Sequence, residues 1–476
     1  MERCTLVDCG AHQCDLRLLA PHRLSGFHQV AAQPRLPRRR SAAGRGGCPV
    51  DSWDAGQHAG AGGLPGLVYL EPGAPLVAGA ALLRVTVSDG EGSFELSDEV
   101  LAPYREALKK TPRAAPRRLV YAAAHLVMNS SYGELGTQAT PPEELAKFID
   151  WEATCALRVR LDRLGFGIAE AMDTAQRFSI GWHNAHELLL RCGALGLARP
   201  FIAGAGVDHL DEVADEAALI EGVVYQARTI QAAGGWPILL PMLPLARWGA
   251  DEACYLRVYE GVIAQLEGPL FVHWLGEMFL AELAGYFPGH SFERVMAIDP
   301  AKLRGAKLSL LDPQLERRLR SELLIRDQIL FTGDDLNFAD LIAGPDPVRS
   351  TLIADSKVQL GDFSHALLGI FDAIAEPASL ALEFLARGDE ARYRALIEPC
   401  QTLSRHLFSA PTEDYKAGLA WLSWLNGNQK NPMLVERAEG RRDLNHIQKA
   451  ARLASLAGAV SDAGLCAERL GSLNHS

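Results

Sequence analysis

From residue 117 onward, short apolar runs alternate with longer stretches of helical period. The runs cover residues 119–128, 166–172, 201–207, 237–242, 270–274, 305–311, 328–332 and 366–370. Between them, apolar positions recur three and four apart, as in Leu219, Val223, Ala227 and Ile230, or Tyr255, Val258, Tyr259, Val262, Ile263 and Leu266. That spacing gives a helix one buried face. The short runs lack clean alternation, which suits parallel strands covered on both sides. Eight such units over about 270 residues predict an α/β protein, a (β/α)8 TIM barrel spanning residues 117–388. An open doubly wound sheet is the rival, but it carries a glycine-rich phosphate turn after its first strand. Here the first run ends Ala124-His125-Leu126.

The flanks read differently. Two apolar-alternating runs, Leu82 to Val87 and Ser93 to Leu96, surround Asp89-Gly90-Glu91-Gly92 and predict a hairpin within a small module over 63–116. Residues 389–476 are helical by pattern, with Tyr415, Leu419, Trp421, Leu422 and Leu425 in one strongly apolar segment, and predict a C-terminal helical subdomain. The stretch 344–363, with Arg349, Lys357 and Asp362, is longer than neighbouring turns. It reads either as a lid over the barrel mouth or as a disordered surface insertion.

Charge sharpens this picture. Lys plus Arg number 47 against 58 Asp plus Glu, a net charge of −11. Such a chain is poorly suited to nucleic acid or to an anionic membrane surface. No uncharged apolar run reaches spanning length. The first 62 residues break the trend. Within residues 1–50 lie eight Arg, no Lys and three acids, with no sustained period. Cys4, Cys9, Cys14 and Cys48 sit there at spacings unlike those of zinc sites. Arg38-Arg39-Arg40 is followed by no apolar stretch, so an export signal is not expected. The segment reads as a disordered extension. With no signal peptide, the other cysteines read as reduced thiols of a cytoplasmic protein.

In a barrel the chemistry lies at the C-terminal ends of the strands. Those tips offer His125, Glu170, Asp173, Thr174, Gly206, Asp208, His273, Trp274, Lys307, Gly333 and Asp334. Lys307 stands out, because an ammonium inside an apolar strand is costly unless it is paired or used. Burial lowers its pKa and produces a nucleophilic amine able to form a Schiff base. The bland reading is a strand-end lysine that snorkels or pairs with Asp334.

Three motifs in order carry a family likeness. Phe201-Ile202-Ala203-Gly204-Ala205-Gly206 resembles the third-strand signature of the dihydrodipicolinate synthase / N-acetylneuraminate lyase superfamily. Gly305-Ala306-Lys307 resembles its sixth-strand Gly-x-Lys, and Phe331-Thr332-Gly333-Asp334-Asp335 its seventh-strand pattern. Runs such as Glu170 to Arg177 and Tyr415-Lys416-Ala417-Gly418 are similar to a dihydrodipicolinate-synthase-like subgroup whose chemistry is uncharacterised. The resemblance implies a class I lyase in which Lys307 condenses with a keto acid or keto sugar. It also implies a homo-oligomer, and no cofactor. Two departures qualify it. The family's Gly-Thr-Thr-Gly-Glu run is replaced by Met172-Asp173-Thr174-Ala175-Gln176, where Asp173 would repel a carboxylate and favour a hydroxylated or neutral substrate. The fifth-strand tyrosine is replaced by His273, followed by Trp274; a histidine can relay protons near neutral pH.

Two other readings stay open. The His-rich, acidic tips suit a metal-dependent barrel lyase, isomerase or hydrolase. Loss of the carboxylate motif and of the tyrosine suits a non-catalytic carbonyl or sugar sensor. The bland alternatives are that Asp208, and Asp334 or Asp335, cap the helices that follow them.

Overall fold

A computed structural model describes residues 85–88, 92–135 and 140–473. The expectations for residues 1–62, including the arginine-rich head and its four cysteines, lie outside these, as do most of the hairpin turn and the tip around residues 136–139. The first strands, β1 Val85–Ser88 and β2 Ser93–Leu96, pair antiparallel as expected. The hairpin packs against the C-terminal helices. The Ser97 N–H donates to Ser455 Oγ at 2.8 Å, and the Ala463 N–H donates to Asp98 at 3.2 Å.

Each of the eight apolar runs overlaps a strand. They are β3 Val120–Ala123, β4 Gly167–Glu170, β5 Ile202–Ala205, β6 Trp236–Leu239, β7 Leu270–Leu275, β8 Leu303–Ser309, β9 Ile329–Thr332 and, after a further hairpin, β12 His365–Leu368. They close into a barrel in the order β12-β3-β4-β5-β6-β7-β8-β9, with all neighbours parallel. Alternation splits each strand between two environments. Tyr121, Ala169, Ile202, Ile238, Phe271 and Phe331 pack into the lumen. Ala122, Ile168, Ala203, Val272, Ala306 and Leu308 pack outward under the helices. Both faces are apolar, which is why the sequence shows runs and not alternation.

The stretch 344–363 is neither a lid nor a disordered insertion. It forms a hairpin, β10 Arg349–Ile353 with β11 Ser356–Leu360. It precedes the last barrel strand, so it lies at the N-terminal end of the barrel. Ile353, Val358 and Leu360 are buried with Tyr121, Trp236, Phe271 and Phe331, and plug the base of the lumen.

The helix Ala375–Ala386 follows the last barrel strand. Gly388, at φ 78°, turns the chain, and the Asp389 side chain caps the next helix by accepting from the Arg392 N–H. Beyond it, the helices Glu390–Leu407, Tyr415–Leu425, Leu444–Leu456 and Ala463–Leu473 share the barrel's outer core. Among the described residues, no helix is long and apolar enough to cross a membrane.

Candidate active site

Alternation decides which strand-tip residues reach the lumen. On β7, Phe271 points inward, so His273 does too, while Trp274 points out. His273 Nε2 meets Ser309 Oγ, two positions after Lys307 on β8, at 3.1 Å. Trp274 instead packs on Phe287 and Phe292, at ring separations of 5.2 and 5.0 Å.

Lys307 sits in register with His273 on one side and Phe331 on the other. Its side chain passes over Gly333, where a Cβ would fall 2.7 Å from Lys307 Cε and would also clash with Ser309 Oγ. The Leu308 carbonyl oxygen would also lie 2.7 Å from that Cβ, so the close approach of β8 as a whole requires the glycine after β9. Among the described residues Lys307 forms no ion pair, and its expected partner Asp334 is turned away. Burial pulls its amine down to about 8, against the opposing charges of Asp335 and Asp173. Burial pushes the Asp335 carboxyl up, while its Oδ1 accepts from the Ile370 N–H at 3.0 Å. His273 is held well below the usual imidazole range by burial and by the Lys307 charge. It is therefore neutral, and its Nδ1 is buried without a hydrogen-bond partner.

A side chain from outside the barrel completes the mouth. Tyr415, at the start of the helix Tyr415–Leu425, stacks on Phe408 at 4.2 Å between ring centres. Its hydroxyl donates to Asp173 Oδ2 at 3.0 Å, which leaves its oxygen to accept from Thr174 Oγ1 at 2.8 Å. Lys416 Nζ sits 3.0 Å from the same Asp173 oxygen. The repulsion expected between Asp173 and an anionic substrate is therefore offset by a neighbouring cation. The sequence pattern assigns no site role to Tyr415, Lys416 or Ser309, and reads Asp335 only as a candidate helix cap, although Tyr415 and Lys416 stand in a motif that carries the family likeness.

Other expected site residues are committed elsewhere. Glu170 faces outward, where Arg158 forks it at 2.8 and 2.9 Å, and the Ala171 N–H also donates to it. His125 is fully buried, its Nδ1 on Asp372 at 2.5 Å and its Nε2 on Gln429 Oε1 at 2.6 Å. Asp334 accepts from the N–H groups of Leu336 and Asn337 and from the Asn337 amide, as a cap does. All three have their polar atoms engaged by protein groups. Asp208 does not cap the following helix, which Asp215 caps. It is forked by Arg177 at 2.8 and 2.9 Å and lines, with Gly206, a cavity of about 340 Å³. A small cavity of about 20 Å³ touches Asp173 and His273 in the lumen, room for about one water. Phe178, 53% exposed, lines both of these cavities and a third of about 120 Å³ beside Lys416. Among the described residues no three His, Cys, Asp or Glu side chains come together in a set able to hold a metal ion.

These features define a (β/α)8 barrel with a lumenal lysine on its sixth strand. Solved structures share the fold. One is a protein from Pseudomonas aeruginosa assigned as a dihydrodipicolinate synthetase, 14% identical, with a TM-score of 0.52 over 71% of this chain and 99% of that one. Another is a prophage protein of the dihydrodipicolinic acid synthase family from E. coli K12, solved in complex with pyruvate, 12% identical, with a TM-score of 0.51 over 74% of this chain and 100% of that one. No curated protein matches the chain. The chain belongs to the family described as protein of unknown function DUF993, whose model matches residues 91–475.

Proposed function

We propose that this protein is a class I lyase or aldolase that condenses Lys307 with the carbonyl of a keto acid or keto sugar. The observation that carries the reading is a lumenal amine on the sixth strand, without an ion pair and lowered to about 8 by burial. The E. coli neighbour's complex with pyruvate, itself a keto acid, is consistent with it.

In this reading the neutral amine adds to the carbonyl carbon and water leaves, giving an iminium. A base takes the proton of the substrate's β-hydroxyl, and the adjacent carbon–carbon bond breaks toward the iminium. An enamine and a second carbonyl fragment result. Protonation of the enamine carbon and hydrolysis free the amine. The chain Thr174, Tyr415 and Asp173 supplies a route for those protons. Neutral His273 beside Ser309 offers a further polar contact within the lumen.

The test is borohydride trapping across keto acids and keto sugars, read by intact mass. One carbonyl compound should add its reduced mass to the wild type and not to Lys307→Ala. The initial trapping rate should rise about tenfold per pH unit up to about 8 and then level, because only the neutral amine attacks. Equal adducts on wild type and Lys307→Ala would end the proposal. Saturable binding of a carbonyl compound with neither adduct nor turnover would favour a sensor.

A further inference from the structure

We propose that the N-terminal face of the barrel carries a second binding site, formed by Arg117, Arg118, Arg199 and Lys357 against Tyr121 and Trp236, which takes a small phosphate monoester. The cavity holds about 230 Å³ and lies between the start of β3, the start of β6 and the hairpin β10–β11. It is smaller than drug-sized sites of about 300–1,000 Å³. No Asp or Glu lines it, in a chain whose net charge is −11.

The cations are of three kinds. Arg118 is 5% exposed, and its donors go only to main-chain carbonyls, those of Arg117, Ile342 and Ala343. Its charge therefore meets no carboxylate directly. Arg117 pairs with Asp346, an acid whose side chain is 82% exposed and outside the cavity wall. Arg199 and Lys357 have no ion-pair partner among the described residues. Arg199 and Lys357, two cations on one cavity without ion-pair partners among the described residues, suit a dianion, and an arginine fork matches phosphate oxygens in geometry. The rings of Tyr121 and Trp236 give the carbon part of the ligand a flat apolar wall.

The site is built on rigid elements. His365 of β12 accepts from the Leu119 N–H through Nδ1 at 2.8 Å and donates through Nε2 to the Gln359 carbonyl at 3.0 Å. That bridge ties the hairpin wall to the β3 wall. The site is also separate from Lys307. Tyr121, Phe271 and Phe331 pack ring against ring, at 5.8 Å and 5.4 Å between centres, and close the lumen between the two.

Isothermal titration of the full chain with phenyl phosphate, inorganic phosphate and phenol tests this. Phenyl phosphate carries no carbonyl, so it cannot report on the Schiff-base chemistry. It should bind saturably at one site, more tightly than inorganic phosphate, and more weakly as salt rises. Phenol should give no saturable heat. The double variant Arg199→Gln, Lys357→Gln should weaken phenyl phosphate by about tenfold or more, with an unchanged melting midpoint. Lys307→Ala should bind it as the wild type does. Absence of saturable binding, binding untouched by the double variant, or binding lost in Lys307→Ala would each overturn the proposal.

Discussion

At the mouth of the barrel Glu170 is held by Arg158, Asp208 by Arg177 and Asp173 by Lys416, whereas the cavity at the base has four cations on its wall and no acid. Both ends are rich in charge, yet the charges do different things. A fork such as Arg158 on Glu170 fixes a strand to a helix and has no valence left for a ligand. Charges without partners mark the places where something else is expected to bind. By that measure Lys307 stands out in the lumen, and Arg199 and Lys357 at the base, as cations without an ion-pair partner among the described residues. Counting charged strand tips in the sequence therefore overstates the site at one end and misses it at the other.

That comparison can be broken most forcefully at Glu170. Glu170→Ala should destabilise the fold by about 3–5 kcal/mol in denaturant unfolding, because Arg158 would be left buried with no counter-charge. A loss under about 1 kcal/mol would mean that the fork is not a strut. Next in size is Tyr415→Phe, which keeps the stack on Phe408 and removes the hydroxyl between Thr174 and Asp173. With a carbonyl compound that traps on Lys307, turnover should fall by about 100-fold while trapping persists. Unchanged turnover would remove Tyr415 from the proton route. The finest distinction is Asp335→Asn. Asp335 raises the Lys307 pKa, so its loss should move the midpoint of the trapping-rate profile to lower pH, below about 8. A shift to higher pH would show that another group sets the amine.

The strands were legible because each is a short apolar run, and the count of eight left one closed architecture. Lys307 was legible because a cation breaks such a run. His273 and Trp274 were adjacent and looked equivalent, yet a residue step on a strand reverses direction, and the inward phase was not evident until Phe271 was placed in the lumen. Gly333 belongs to a motif in the sequence, while its reason, the close approach of Leu308, Ser309 and Lys307 on β8, needs both strands side by side. The stretch 344–363, read as either a lid at the mouth or a disordered insertion, is a hairpin at the base. Its position before the last strand already assigned it to the base, but its length drew attention first.

What the sequence determined by itself was periodicity. The apolar runs, the helical spacings between them and a lysine in the sixth run follow from local order, since burial on two faces leaves a record in every strand. Tertiary structure decided which polar groups face each other. Tyr415 lies 242 positions from Asp173, and Lys357 closes a cavity with Arg117 and Arg199. Ion pairing, desolvation and cavity shape depend on distances in space, and no local pattern of residues encodes those.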